Sequence, residues 1–560
     1  MSQQMRGGQP MIIMGDDAQR VKDRDAQEHN ISAARAVADA VRSTLGPKGM
    51  DKMLVSSIGD VTITNDGVTI LQEMDIDNPT AEMVIEVAET QEDEAGDGTT
   101  TAVSITGELL KNAQDLLEQD IHPTAIIRGF NLASEKAREE VQEIAERVDV
   151  DDDDVLQNVA ETSITGKGAE ANKDVIAQLV VEAVKRVTVE ADDGGNIVDL
   201  EVVDIETQTG RSVGDSELLT GAVIDKDPTH DDMPSEVEDA SILLTNSPIE
   251  VEEADVDTQI SVDDPNQLQQ FLDQEEEQLK QKVEQIKASG ANVVFCQKGI
   301  DDLAQHYLAK EGILAVRRTK KSDITFLKNV LDCAIVSDLD DIDADDLGHG
   351  TVTRDEDDEL FYVTSDTEES HGVTLLLRGS TDHVVDELER GVSDALEVVT
   401  QTVAHGRVLA GGGAAEVELA SRVRDYADSI SGREQLAVEA FADALELVPR
   451  VLAENAGLDP IDTLVDLRSA HEGGDAQAGL DVFTGEVVNT FDSGVIEPAH
   501  AKSQALASAT EAANLVLKID DIISAGDLST EGEEGEGGAP GGGMGGMGGM
   551  GGMGGMGGAM

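Results

Sequence analysis

Gly96-Asp97-Gly98-Thr99-Thr100-Thr101 runs directly into the apolar pattern Ala102 to Leu117. Glycines there let backbone N–H groups approach a ligand closely, and a helix N-terminus offers positive potential. Three hydroxyls can bond phosphate oxygens, and the aspartate can hold Mg²⁺ beside them. Such a turn suits a phosphate and its metal, although an ordinary helix-capping turn uses the same residues. Other turns accompany it: Leu45-Gly46-Pro47-Lys48-Gly49, Asn65-Asp66-Gly67 and Gly411-Gly412-Gly413. By itself each is equally a helix stop, a hairpin turn or a linker. A P-loop ATPase is excluded, because Gly166-Lys167 lacks both the earlier glycine and the following Ser or Thr. None of the ten histidines forms a close ligand-spaced pair, so a zinc site has no support.

These turns need elements to hold them. A first helix is predicted from Asn30 as cap through Ile31, Ala34, Val37, Ala38, Val41 and Leu45, stopped by Gly46-Pro47. Helical patterns continue over 79–95, 102–118 and 123–147, while Val61 to Thr64 and Val68 to Leu71 look strand-like on either side of Asn65-Asp66-Gly67. Acidic Asp151 to Asp154 marks a candidate boundary, and 197–210 has β-rich spacing. An α/β stretch follows, with strands at 241–245, 291–296, 313–317 and 373–378 and helices at 265–288 and 301–311. In the 265–288 helix Asp264 is the expected cap; Leu268, Phe271, Leu272, Leu279, Val283 and Ile286 form a stripe interrupted by Glu275, core-facing in its C-terminal half, while the N-terminal half can project outward. From about 381 to 525 the pattern is helical again. The order α, mixed, α permits two helical ends packed together with the middle projecting as an insertion. Residues 531–560 turn to a Glu-Gly mixture and then a Gly-Gly-Met repeat carrying Met544, Met547, Met550, Met553 and Met556, a tail that cannot pack a core and reads as an adaptable apolar tether or a passive end.

With 560 residues there is ample chain for three or four domains. Forty basic against 116 acidic side chains give a net charge of −76, a field of the wrong sign for nucleic acid or an anionic membrane. Hydrophobic residues still make up 39% of the chain, without any Trp, so Val, Ile, Leu and Ala must build the interior beneath a solvated acidic coat. Acids spread from Asp16 to Glu536 point to a cytoplasm at molar salt, where the Debye length shrinks to about 3 Å and like charges cease to oppose compaction. Cys296 and Cys333 each sit in an apolar run and read as reduced thiols. Neither a signal peptide nor a membrane span is expected, and a cytoplasmic location follows.

Taken in order and spacing, the turns resemble the chaperonin family in its archaeal group II form, the thermosome. The carrying segments are Thr44 to Asp51, Asn65-Asp66-Gly67, Gly96 to Thr101, Thr162-Ser163-Ile164-Thr165-Gly166-Lys167, Phe295 to Ile300, Ser393-Asp394-Ala395-Leu396 and Gly411-Gly412-Gly413. The resemblance implies a multidomain α and α/β fold: an equatorial domain from 1–150 and 405–526, an α/β intermediate domain from 151–220 and 370–404, an α/β apical domain over 221–369 with a helical protrusion near 250–280, and a disordered tail over 527–560. It also implies a double ring of identical or similar subunits, with a built-in lid, that encloses non-native proteins and assists their folding by ATP hydrolysis. A nucleotide-binding ring that merely holds such chains is the competing reading.

Carried over by residue, the resemblance implies that Asp97 ligates Mg²⁺ and that Gly98, Thr99, Thr100 and Thr101 hold phosphates. Leu45, Gly46 and Pro47 would border the nucleotide, Gly411 and Gly412 would pass near its ribose, and Glu497 would accept a ribose hydroxyl. Asp394 would activate the attacking water, Asp66 would help position it, and Lys167 would sense the γ-phosphate. ATP and Mg²⁺ are the implied cofactors, with K⁺ a further candidate. One local departure is His230-Asp231-Asp232-Met233-Pro234, where relatives commonly carry a basic residue between His and Met; this fits salt adaptation.

Overall fold

The computed structural model describes residues 20–56, 59, 61–74, 76–166, 172–191, 195–251, 265–366 and 372–523. Asp264, Lys167 and the tail beyond 526 fall outside them. Buried side chains of the described residues gather into three main cores. The first is helical and joins both ends of the chain, from Ile31 to Val141 and from Leu409 to Leu517. A strand pair closes it, Arg20–Lys22 running antiparallel to Asp521–Ile523. The second, from Ala222 to Val363, packs helices on a mixed sheet with Glu236–Thr245 at its centre, parallel to Val293–Cys296 and antiparallel to Gly348–Arg354. The third lies between them, combining Leu156 to Val187, Val373 to Val408 and Ile496. Its sheet places Val373–Gly379 between Val203–Thr209 and Glu217–Thr220.

Several elements follow the sequence closely. Asn78 caps Pro79–Ala95, accepting from the N–H groups of Thr80 and Ala81. Pro123–Ile144 and Pro265–Ser289 begin at their prolines, where the missing N–H costs nothing. In the latter helix Leu279, Val283 and Ile286 are buried, so its C-terminal half faces a core as expected, while Leu272 of the expected stripe is exposed; the side chains of Leu268 and Phe271 lie outside the described ones.

Elsewhere the packing overrules the pattern. The first helix spans Asp23–Arg42 rather than starting at Asn30. Asn30 is a buried residue within it whose side chain accepts from the Thr80 hydroxyl at 3.0 Å, a tie that sequence periodicity does not register. Val68 to Leu71 is not a strand: Gly67–Gln72 is a short helix capped by Asp66, and Val61–Thr64 pairs instead with Lys52–Val55. The region after 381 is not wholly helical either. Arg407–Ala410 pairs with Glu146–Arg147 and Ile496–Pro498, and Ala478–Asp481 forms a hairpin with Glu486–Asn489. These strands are short and take their stability from the helices around them, which is why alternation alone misses them.

Candidate functional site

Stretches from both ends of the chain, from Thr44 to Thr101 and from Gly412 to Ala505, meet with Asn158 to Gly166 around one cavity of about 450 Å³, a size suited to a nucleotide-sized ligand. Its floor is the turn between two helices. Gly96 ends Pro79–Ala95 in the left-handed conformation (φ 62°), and a β-carbon on it would fall 2.5 Å from that of Glu397, on the neighbouring Asp382–His405 helix. Gly98 (φ 82°) then caps Thr99–Glu118 without any side-chain acceptor, so the first turn of that helix, whose residues Thr99, Thr100 and Thr101 line the cavity, is left without a side-chain cap. The buried Gln91 amide fixes this turn, donating to the Asp97 carbonyl at 2.7 Å and to the Ala501 carbonyl at 3.2 Å.

A second wall comes from Asn65-Asp66-Gly67. Asp66 Oδ2 accepts the Thr69 N–H at 2.7 Å, and the Asn65 amide donates to the Gly166 carbonyl at 2.8 Å, tying this turn to the segment Thr162 to Gly166. Leu45, Gly46 and Pro47 lie beside them, held by Asn455 donating to the Leu45 carbonyl at 2.9 Å. The apolar end is lined by Val448, Leu452, Leu480, Val482 and Phe483. Gly412 (φ 66°) accepts the Leu480 N–H at 2.9 Å, which brings the hairpin to the site.

Glu497, on Ile496–Pro498, completes the wall and pairs with Lys502 at 2.8 Å. Burial pushes its carboxyl up, the Lys502 ammonium opposes this, and the charges of Glu416 and Asp97 add to the rise. The residues foreseen for the site thus divide. Asp66, Asp97, Gly98, Thr99, Thr100, Thr101, Leu45, Gly46, Pro47, Gly412 and Glu497 line the same cavity. Gly411 does not; it stands behind the wall, its N–H donating to the Val495 carbonyl and its carbonyl accepting the Thr490 hydroxyl, each at 2.9 Å. Asp394 does not line it either. It is half-buried, one turn before Val398, which does, and its charge raises the neighbouring Glu397 carboxyl after burial has done so.

The donor set can be tested for a metal. Among the described residues no group of three or more His, Cys, Asp or Glu side chains is arranged to hold an ion. Asp97, a single carboxylate on a glycine-flanked turn lining the cavity, suits Mg²⁺, which takes one or two carboxylates and completes its shell with phosphate oxygens and water, better than an ion needing an all-protein cage.

Sequence reasoning missed Lys502, Glu416, Lys173 and the hairpin. For the first two a signal existed. Lys502 stands in one helical stripe with Ala505, Leu506 and Ala509, and Glu416 with Leu419, Ala420 and Val423, so each is a lone charge on an apolar face. Lys173, 3.4 Å from Glu161 across the cavity rim, carries no such mark.

Comparison with known proteins bears on this cavity. The model of the TCP-1/cpn60 chaperonin family matches residues 37–527. Thermosome subunit 2 of Haloferax volcanii is 77% identical over 95% of this chain and 96% of its own, and thermosome subunit beta of Halobacterium salinarum is 73% identical over the same shares. Among solved structures, the open-state monomer of a group II chaperonin from Methanococcoides burtonii is 45% identical, with a TM-score of 0.59, covering 76% of this chain and all of that one.

Proposed function

Because the chain belongs to the TCP-1/cpn60 chaperonin family, we propose that the 450 Å³ cavity is its ATP site and that turnover there drives the folding of other proteins. The protein is an ATP-dependent group II chaperonin subunit that forms ring complexes with related subunits and acts on non-native proteins. The observation that carries the site reading is the convergence of Gly46, Asp66, Asp97, Thr99, Gly412 and Glu497 on one wall-lined space from both ends of the chain.

In this reading the uncapped N–H groups after Gly98 and the hydroxyls of Thr99, Thr100 and Thr101 bind phosphate oxygens. Asp97 holds Mg²⁺, which when bound neutralises phosphate charge; K⁺ is a further cation for the same region. Gly46, Pro47 and the apolar residues around Leu452 take the base, and Glu497 accepts a ribose hydroxyl, with Gly411 leaving room behind it. Asp66, held by its cap to Thr69, positions water, and Lys167 senses the γ-phosphate. Asp394 is the general base. Since it sits one turn along its helix from the cavity wall, it reaches the water only when Asp382–His405 advances, and this couples hydrolysis to the movement of the segments built on that helix.

The helical core from both ends corresponds to an equatorial domain over 1–150 and 405–526, the third core to an intermediate domain over 151–220 and 370–404, and the sheet-based core to an apical domain over 221–369, with the protrusion near 250–280, of which residues 252–264 lie outside those the structure describes, as the lid. The acidic coat suits a cytoplasm at molar salt. Refolding yield of a denatured enzyme, measured in molar KCl with ATP and with a non-hydrolysable analogue, tests the function. A higher yield with ATP is expected; equal yields would leave a nucleotide-binding ring that only holds its clients.

A further inference from the structure

Behind Glu497 lies a charged triad that the reading above does not use. Lys502, on the Ala499–Lys518 helix, is 7% exposed. Its ammonium donates to Glu416 Oε1 and, at 2.8 Å, to Glu497 Oε2. Glu416 belongs to Ala414–Ala427, the helix opened by Gly413, and is 1% exposed. A carboxylate that deep in the protein requires a charged partner, so Glu416 and Lys502 fix each other.

The two glutamates differ in setting. Glu416 stands outside the cavity lining, whereas Glu497 is part of it, with a side chain 28% exposed against 2% for Glu416. Glu497 Oε1 packs over Gly411, where a β-carbon would come within 2.9 Å. With Oε2 on the ammonium and Oε1 over a backbone that lacks a side chain, the carboxylate has little freedom to swing. The groups facing it are Lys502 from its own helix end, Glu416 from Ala414–Ala427, and Asp97 from the phosphate turn; of these only the lysine favours the ionised form, against burial and two like charges.

We propose that Lys502 is a positioning residue, anchored by Glu416, that holds Glu497 as a fixed acceptor for a ribose hydroxyl and thereby sets the preference of this site for ribonucleotides over deoxyribonucleotides. The inference rests on the reading of Glu497 given above. It extends that reading by assigning the specificity to a triad rather than to one carboxylate, because an acceptor that is free to rotate or to take up a proton discriminates poorly between a sugar with the hydroxyl and one without it.

The test is the affinity of the full assembled complex, in molar KCl, for ATP, 2′-deoxyATP and 3′-deoxyATP. At least one deoxy analogue is expected to bind the native protein about tenfold more weakly than ATP, as befits loss of a hydrogen bond to a charged acceptor. K502M and the double variant E416Q/K502M, which also removes the buried charge that K502M alone would leave on Glu416, should bring that ratio to within about twofold. A purely structural role for the triad would weaken all three nucleotides alike and keep the native ratio, and that result overturns the proposal. E497A, which removes the acceptor, separates the two levels. If E497A keeps the ratio, the ribose reading of Glu497 is wrong and the proposal goes with it. If E497A abolishes the ratio while E416Q/K502M preserves it, Glu497 keeps its role and only the positioning by Lys502 is refuted.

Discussion

Gly67 and Thr100 approach so closely that a β-carbon on the glycine would lie 2.4 Å from the threonine hydroxyl oxygen. Two turns from separate parts of the N-terminal segment are thereby locked into one surface, the Asp66-capped helix start against the first turn of Thr99–Glu118. The clash is with a side-chain oxygen, so Gly67→Ala should be absorbed by rotation of Thr100 and not by unfolding. ATP affinity should fall about tenfold, since the hydroxyl proposed to hold phosphate is turned away, while the melting temperature moves by no more than about 2 °C. Calorimetric titration and thermal melts of the same preparation check both.

Asp394 stands off the cavity wall, so its removal should spare binding. Asp394→Ala is expected to leave the ATP dissociation constant within about twofold and to lower kcat by a factor on the order of a hundred or more, the range for loss of a general base. Steady-state hydrolysis and equilibrium binding, measured together, decide it; unchanged turnover would remove Asp394 from the chemistry.

Glu206 is buried on Val203–Thr209, where desolvation pushes its carboxyl up to about 7, with Lys320 opposing and the charges of Asp204, Asp323 and Asp225 assisting; Asp204 is pushed up to about 6, again chiefly by burial. A folded-state value above the unfolded one means the native chain holds the extra proton. This pair therefore stabilises the fold at low pH, and the benefit is lost as pH rises from the ordinary carboxylate range through 6 to 7. Glu206→Gln keeps the neutral form at all pH. It should raise the melting temperature by about 3 °C at pH 8 and leave it unchanged at pH 5; equal shifts at both values would show that the charge is not what matters.

The charge of −76 makes a prediction about salt. Lowering KCl from molar to about 0.1 M lengthens the Debye screening distance from about 3 to about 10 Å, so repulsion between neighbouring acidic faces is restored. The complex should dissociate or lose at least about 10 °C of melting temperature over that range. Light scattering with thermal melts across a KCl series would reveal it, and a ring that survives dilute buffer would contradict salt dependence.

Much of the fold could be read from the chain because its signals are local. Asn78 before Pro79 marks a helix start, glycine at 96 and 98 marks a sharp turn between two helices, and the stripe Leu279, Val283, Ile286 marks a buried face. The turn segments and their order were enough to identify the family. Other features are properties of packing. Asp66 reads as part of a hairpin turn until the third dimension pairs Val61–Thr64 with the strand before it and makes Asp66 the cap of a short helix. Asn30 gives no sign that Thr80 will bury it, and the short strands after 381 take their pairing from distant partners.

By itself the sequence determined which residue types were available for phosphate, metal and base chemistry, and on which kinds of element they would stand, since turn and helix preferences act over a few residues. Only the tertiary structure decided that Gly46, Asp97 and Glu497 share a wall, that Asp394 stops one turn short of it, and that Lys502 and Glu416 meet behind it. Those relations depend on how whole helices pack, and packing is set by the summed shape and burial of residues hundreds of positions apart, which no local pattern records.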